Sequence, residues 1–86
     1  MDKAEHMKHI YRVTTIFYRL MTDRLMEEKN LEKLHWLKCT KHWLEDCLET
    51  KSNEYFNMYD SKEKQARLVD IANFAMMLHD WIKHNG

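Results

Sequence analysis

Proline is absent from the 86-residue chain, and the only glycine is its last residue, Gly86. Hairpin turns and glycine-rich phosphate loops depend on these two residue types, because such turns need a fixed or a positive φ. Their near absence argues against β-rich folds and against the common nucleotide-binding loops of α/β proteins. The remaining option is an all-α fold.

An excess of charge of either sign is also missing, since 14 Lys and Arg balance 14 Asp and Glu. Nucleic acids and anionic membranes attract basic surfaces, so we expect neither as a partner. No run of about 18 apolar residues exists that could cross a bilayer. The first five residues also lack the apolar segment of a signal peptide. We therefore expect a cytoplasmic protein in which Cys39 and Cys47 stay reduced.

Capping signals divide the chain into helices. Asp2 with Glu5 and Asp60 with Glu63 have the spacing of a capping box, and Asn30 is a good N-cap residue. Nothing after Asn30 interrupts a helix for almost thirty residues. The sequence thus predicts a single domain, residues 1–86, with helices over about 3–28, 31–58 and 62–84.

The third predicted helix carries more apolar surface than one neighbour can cover. At roughly 100° per residue, its apolar side chains form two faces and leave a narrow polar wedge around Asn73, Asp80 and Lys83. We expect the second and third helices to pack antiparallel, and a second copy of the chain to cover the extra face. A homodimer is the simplest such assembly.

Four charged residues fall on the apolar stripes of the second and third predicted helices. They are Lys51 and Glu54 on one helix, and Arg67 and Asp70 on the other. A charge in an apolar seam is costly unless it is paired. We predict that Lys51 and Arg67 pair with Asp70 and Glu54 across the helices.

The segment Arg67-Leu68-Val69-Asp70-Ile71-Ala72-Asn73-Phe74-Ala75-Met76-Met77, together with Glu54-Tyr55, resembles the MazG-like all-α nucleoside triphosphate pyrophosphohydrolases. In that family one helix carries E-x-x-E and the next carries E-x-x-D, followed by a stretch similar to Val-Ala-Asn-Tyr. The resemblance implies a helical dimer or tetramer. It also implies four carboxylates that hold Mg²⁺ for cleavage between the α- and β-phosphates of a nucleotide.

The chain departs from this pattern at two of the four carboxylates. Lys51 stands where the first glutamate of E-x-x-E is expected, and Arg67 replaces the glutamate of E-x-x-D. Glu54 and Asp70 are left as the only candidate metal ligands, and two adjacent cations weaken a divalent site. We therefore predict a catalytically degenerate member that needs no cofactor and acts by binding a protein or a nucleotide phosphate. Lys51, Arg67 and Asn73 are the expected binding residues.

Two other interpretations of these residues stay open. The four charges could form a salt-bridge network that only fixes the register of the helices. Alternatively, an active Mg²⁺-dependent nucleoside triphosphate pyrophosphohydrolase could complete its metal site from Glu54, Asp70 and Glu63, or from a carboxylate of a neighbouring chain. Aromatic residues at helical spacing, such as Trp43 and Phe74, are expected in the core and interface, although aromatic rings also stack on bases.

Overall fold

The computed structural model describes all 86 residues and is all-α, without strands. It contains four α-helices and one 3₁₀ turn, where the sequence predicts three helices. Asp2 and Asp60 cap the first and last α-helices as predicted, because their carboxylates accept the backbone N–H groups of Glu5 and Glu63 at 2.8 and 2.9 Å. The elements are α1 (Lys3–Leu25), α2 (Glu28–Leu31), the 3₁₀ turn (Trp36–Lys38), α3 (Lys41–Phe56) and α4 (Ser61–Asn85).

The long second helix predicted over 31–58 is wrong in its first ten residues. Its N-cap is Thr40, whose Oγ1 accepts the N–H of Trp43 at 3.1 Å, so α3 starts at Lys41. Asn30 lies inside α2, where its side-chain amide donates to the Arg24 carbonyl at 2.7 Å instead of capping a helix start. The residues between α2 and α3 form a connection that contains only the 3₁₀ turn.

Two indole groups hold this connection against α4. Trp36 Nε1 donates to Asp80 Oδ2 at 2.8 Å, and Trp81 Nε1 donates to the Cys39 carbonyl at 2.9 Å. These bonds join residues more than forty positions apart, so they cannot be predicted from local sequence patterns. They stabilise a non-helical path that helix propensity alone does not favour.

Helices α3 and α4 pack antiparallel, as predicted, and form the main contact of the fold. The start of α3 lies beside the end of α4, while Glu54 near the end of α3 meets Arg67 near the start of α4. Helix α4 also contacts α1 and the 3₁₀ turn, so it is covered on more than one side. Only four residues are buried in the whole chain: Leu44, Val69, Asn73 and Leu78.

Two of the three residues of the polar wedge predicted on α4 face other segments of the chain, whereas the third, Lys83, is exposed. Asn73 is 3% exposed, because it lies against the C-terminal half of α1, and its Nδ2 donates to the Met21 carbonyl at 3.2 Å. Asp80 in the same wedge accepts the hydrogen bond from Trp36. Asn73 and Asp80 therefore mark the side of α4 that receives two other segments of the chain.

Candidate functional site

Alternating charges run across the seam between α1, α3 and α4. The pairing predicted across the helices is confirmed for Arg67 and Glu54, but Lys51 does not reach Asp70: Lys51 Nζ lies 3.6 Å from Glu54 Oε2, Arg67 Nε lies 3.1 Å from the same oxygen, and Arg67 Nη1 lies 3.4 Å from Asp70 Oδ2. Only the Arg67–Glu54 contact joins two helices, because the other two pairs are three residues apart on one helix. Arg67 is thus the residue shared by both carboxylates.

Asp70 has a second cationic neighbour that the sequence interpretation missed. Arg24 Nε, near the end of α1, lies 3.5 Å from Asp70 Oδ1, while Arg67 occupies the other carboxylate oxygen. Both oxygens of Asp70 are therefore engaged by arginines. The sequence did hold a signal for Arg24, since it follows Phe17 and Met21 at the i, i+4, i+7 spacing of one helix face.

Glu54 is held by charge more than by directed hydrogen bonds. Its Oε2 and the Arg67 Nε are both shielded from solvent and 3.1 Å apart, yet neither atom has a hydrogen bond. The short distance without hydrogen-bond alignment describes an ion pair. It also leaves part of the donor capacity of Arg67 unused, because a guanidinium has five N–H groups.

A cavity of about 690 Å³ opens beside this network, between the end of α1, the connection after α2, and the facing sides of α3 and α4. Its size lies within the range of about 300–1,000 Å³ typical of small-molecule sites. The three predicted binding residues Lys51, Arg67 and Asn73 all line it, and so does Asp70. Glu54 lies outside the lining, behind Arg67.

Cations outnumber carboxylates in the lining of the cavity, although the whole chain has no net charge. Asp70 is the only carboxylate that lines it, against five cationic side chains, and both of its oxygens already face arginines. Such an excess attracts anions, although Glu27 and Glu54 outside the lining pair with all of these cations except Lys33. The five cations are Arg24, Lys29, Lys33, Lys51 and Arg67.

Lys33 is the least constrained of these cations. It is exposed and has no carboxylate within salt-bridge distance, whereas Lys29 lies 3.5 Å from Glu27 and Lys51 lies 3.6 Å from Glu54. The sequence interpretation missed Lys29 and Lys33; it missed Lys33 because it placed residues 31–58 on one continuous helix. Only the folded connection turns them toward α3 and α4.

Asn73 forms part of the cavity wall in a fixed orientation. Its Nδ2 is bonded to the Met21 carbonyl, which sets the amide so that Oδ1 is the remaining polar atom. This Oδ1 is buried and has no hydrogen-bond partner in the chain. A buried acceptor without a partner is unfavourable, so a donor from a bound molecule would stabilise it.

Aromatic rings complete the wall. Trp36, Trp43 and Phe74 line the cavity, and Trp43 remains 50% exposed. Trp36 is held by its bond to Asp80 and stacks on His35, with ring centroids 4.1 Å apart. Trp43 is therefore the ring most accessible to a planar ligand, while Trp36 is a fixed part of the wall.

Glu54 and Asp70, the two candidate metal ligands, have no third ligand beside them. No group of three or more His, Cys, Asp or Glu side chains lies close enough to hold a metal ion, and the contacts of Glu54 and Asp70 are with cations. Glu63, the additional ligand considered above, sits in the exposed first turn of α4. The residues that the chain supplies do not match the octahedral oxygen shell that Mg²⁺ demands.

Neither cysteine is arranged as an activated nucleophile. Burial raises the pKa of the Cys47 thiol, the nearby Cys39 raises it further, and Lys51 opposes them only in part. Both cysteines are free thiols, and Cys39 Sγ contacts the His35 carbonyl at 3.7 Å. A thiol that resists ionisation is a weak nucleophile at neutral pH.

The fold and site together define a small all-α protein with a cationic, partly aromatic cavity. No family model, curated protein or solved structure matches the chain. The resemblance to the MazG-like family stays a prediction. None of the helices has the length and apolar character needed to cross a bilayer.

Proposed function

We propose that this chain is a binding protein whose ligand is a nucleotide, with the phosphates held by the cationic wall of the cavity. The observation that carries the proposal is the five-to-one ratio of cations to carboxylates in the lining. Arginine and lysine are the usual phosphate-binding residues, because they offer several donors and a permanent or near-permanent charge. Lys33, Lys51 and Arg67 would contact the phosphates.

The other end of the nucleotide would lie against the aromatic wall. Trp43 is half exposed and could stack on a base, a contact worth about 1–3 kcal/mol per base in nucleic-acid complexes. A donor on the base or sugar would satisfy Asn73 Oδ1, which has no partner within the chain. The lining thus supplies a complementary group for each part of a nucleotide.

In this proposal the chain is a degenerate relative of the MazG-like enzymes, and it binds without hydrolysing. Arg67 takes the place of a carboxylate and lies within 3.4 Å of both remaining acids, so a cation already fills the position that a metal would need. Self-association into a homodimer and a reducing cytoplasmic setting, suited to two free thiols, belong to the same proposal.

A thermal-shift titration with ATP, in EDTA and separately in Mg²⁺, tests the proposal. A ligand that binds only the folded state raises the Tm, and we expect ATP to do so in EDTA. If the chain is instead an enzyme, addition of Mg²⁺ or Mn²⁺ should lead to release of pyrophosphate from ATP. A Tm unchanged by ATP in both buffers would overturn nucleotide binding and would favour a protein partner.

Lys33 offers a matched pair of variants for this titration. Lys33→Gln removes a cavity cation that has no ion-pair partner, so the fold should be unaffected. Lys62→Gln removes an exposed lysine of α4 that does not line the cavity. We expect Lys33→Gln to weaken ATP binding by about three- to tenfold and Lys62→Gln to leave it unchanged. Equal effects of the two variants would contradict a specific phosphate site.

A further inference from the structure

The first half of α1 lacks packing partners within the chain. Every residue from Lys3 to Ile16 is exposed, and no residue of α1 is buried. Large apolar side chains nevertheless lie along this segment. Their exposed fractions are between 45% and 71% for Met7, Ile10, Tyr11, Val13 and Ile16.

Except for Ile16, these side chains lie within about 80° of a stripe that is covered further along the same helix. Phe17, Met21 and Leu25 are half-buried, and Asn73 of α4 contacts the Met21 carbonyl. Met7, Ile10 and Thr14 precede them at spacings of three and four residues, which is the pattern of one helix face. The stripe is thus packed at its C-terminal end and bare at its N-terminal end.

The dimensions of the chain show how much surface is uncovered. Its radius of gyration is 15.0 Å, whereas a compact domain of this length is expected near 12 Å. Its accessible surface is 7051 Å², about 1,600 Å² more than expected for a compact monomer of its mass. Obligate homodimers bury about 1,000–2,500 Å² per chain, so the excess matches what one such interface removes from water.

We infer that residues 7–16 of α1 form a homodimer seam in which the apolar stripe of one copy packs on that of the other. This inference rests on the self-association proposed above and identifies the surface through which the two copies would associate. A twofold contact brings the same face of both copies together, which suits a face that carries mainly apolar side chains. The absence of net charge on the chain means that two copies do not repel each other strongly.

The seam assigned here differs from the α4 face suggested by the sequence. On α4 only Leu68, Ala75, His79 and Ile82 are exposed along the outer stripe, and Ala75 is small. Bulky apolar side chains on α1 are more numerous and more exposed. Covering α1 would remove more apolar surface from water, which is the main favourable term in association.

Sedimentation equilibrium of the full chain tests the assignment with three variants. Ile10→Asp places a charge at the centre of the bare stripe. Thr15→Asp places the same charge about 140° around the same helix, on its polar side. Ala75→Asp does so on the exposed stripe of α4.

We expect wild type, Thr15→Asp and Ala75→Asp to sediment at twice the chain mass of 10.6 kDa, and Ile10→Asp at the chain mass. Circular dichroism should show equal helix content, because Ile10 is 45% exposed and is not a core residue. A dimer that survives Ile10→Asp but is lost in Ala75→Asp would overturn the α1 seam and leave self-association intact. A monomeric wild type, including one that co-sediments with anionic vesicles, would overturn both.

Discussion

Arg24 of α1 and Asp70 of α4 meet across the helix seam, with Arg24 Nε 3.5 Å from Asp70 Oδ1. The Arg24 side chain is 31% exposed and that of Asp70 is 16% exposed, so the pair is only partly screened by solvent. It is the ion pair that attaches α1 to the charge network of α3 and α4. The same two side chains line the cavity, so the stability of the fold and the charge of the site depend on shared residues.

Removing Arg24 should destabilise the fold modestly. Arg24→Met keeps most of the apolar stem but leaves Asp70 with Arg67 alone, and we expect a loss of about 1 kcal/mol in the free energy of unfolding. Urea denaturation followed by circular dichroism measures this loss. Arg19→Met, on an exposed part of α1 without an ion pair, is the control and should change stability little. Equal losses in the two variants would show that the Arg24–Asp70 contact contributes nothing.

The Asp70→Asn variant distinguishes nucleotide binding from catalysis, because the two functions predict opposite effects. Asp70→Asn removes the only carboxylate of the cavity lining, so ATP affinity in EDTA should rise by about three- to tenfold. The free energy of unfolding should fall in the same variant, because Arg24 and Arg67 lose their shared partner. Isothermal titration calorimetry at a temperature well below the Tm measures the affinity. A pyrophosphate-releasing activity of the wild type that disappears in Asp70→Asn would instead support the enzyme.

Thr40 should be a stabilising cap, although the sequence pointed to Asn30. Thr40→Ala removes the bond from the Trp43 N–H, and loss of an N-cap side chain costs about 1 kcal/mol. Thr40→Ser retains the hydroxyl and should restore most of the lost stability in urea denaturation. If Thr40→Ala were neutral, the start of α3 at Lys41 would be in doubt.

Cys47 should react slowly with alkylating reagents in the folded protein. Burial and the neighbouring Cys39 raise the pKa of its thiol, so less thiolate is present at neutral pH than in an unfolded chain. We expect the rate at which iodoacetamide alkylates Cys47 to rise at a higher pH in native buffer than in denaturing urea. Peptide mass spectrometry distinguishes alkylation of Cys47 from alkylation of Cys39. Because a raised thiol pKa makes ionisation unfavourable to the fold, stability should also decline as the pH rises through the pKa of the unfolded thiol.

The Lys51→Met variant tests whether the Lys51 ammonium lowers the pKa of the Cys47 thiol. Lys51 lowers the Cys47 pKa, so its removal should move the alkylation profile to still higher pH. Lys62→Met, in the exposed first turn of α4, should leave the profile in place. A shift to lower pH in Lys51→Met would mean that the thiol and the ammonium are not neighbours.

The sequence by itself determined the all-α class, the caps at Asp2 and Asp60, and the need of Lys51, Glu54, Arg67 and Asp70 for partners of opposite charge, although only Arg67 and Glu54 pair across the helices as predicted. Each of these follows from local rules: turn chemistry, side-chain to backbone bonds three residues apart, and the need of a charge in an apolar seam for a partner. The identity of the four charged residues was therefore predictable. Their position beside a cavity was not.

Only the tertiary structure decided where residues 31–40 lie. Trp36 and Trp81 bond across more than forty residues to Asp80 and Cys39, and these contacts outweigh the helix propensity of the segment. That path brings Lys29 and Lys33 to the same cavity as Lys51 and Arg67, and it turns a neutral chain into one with a cationic site. Charge composition is a property of the sequence, but the sign of a cavity depends on which side chains the fold turns toward it.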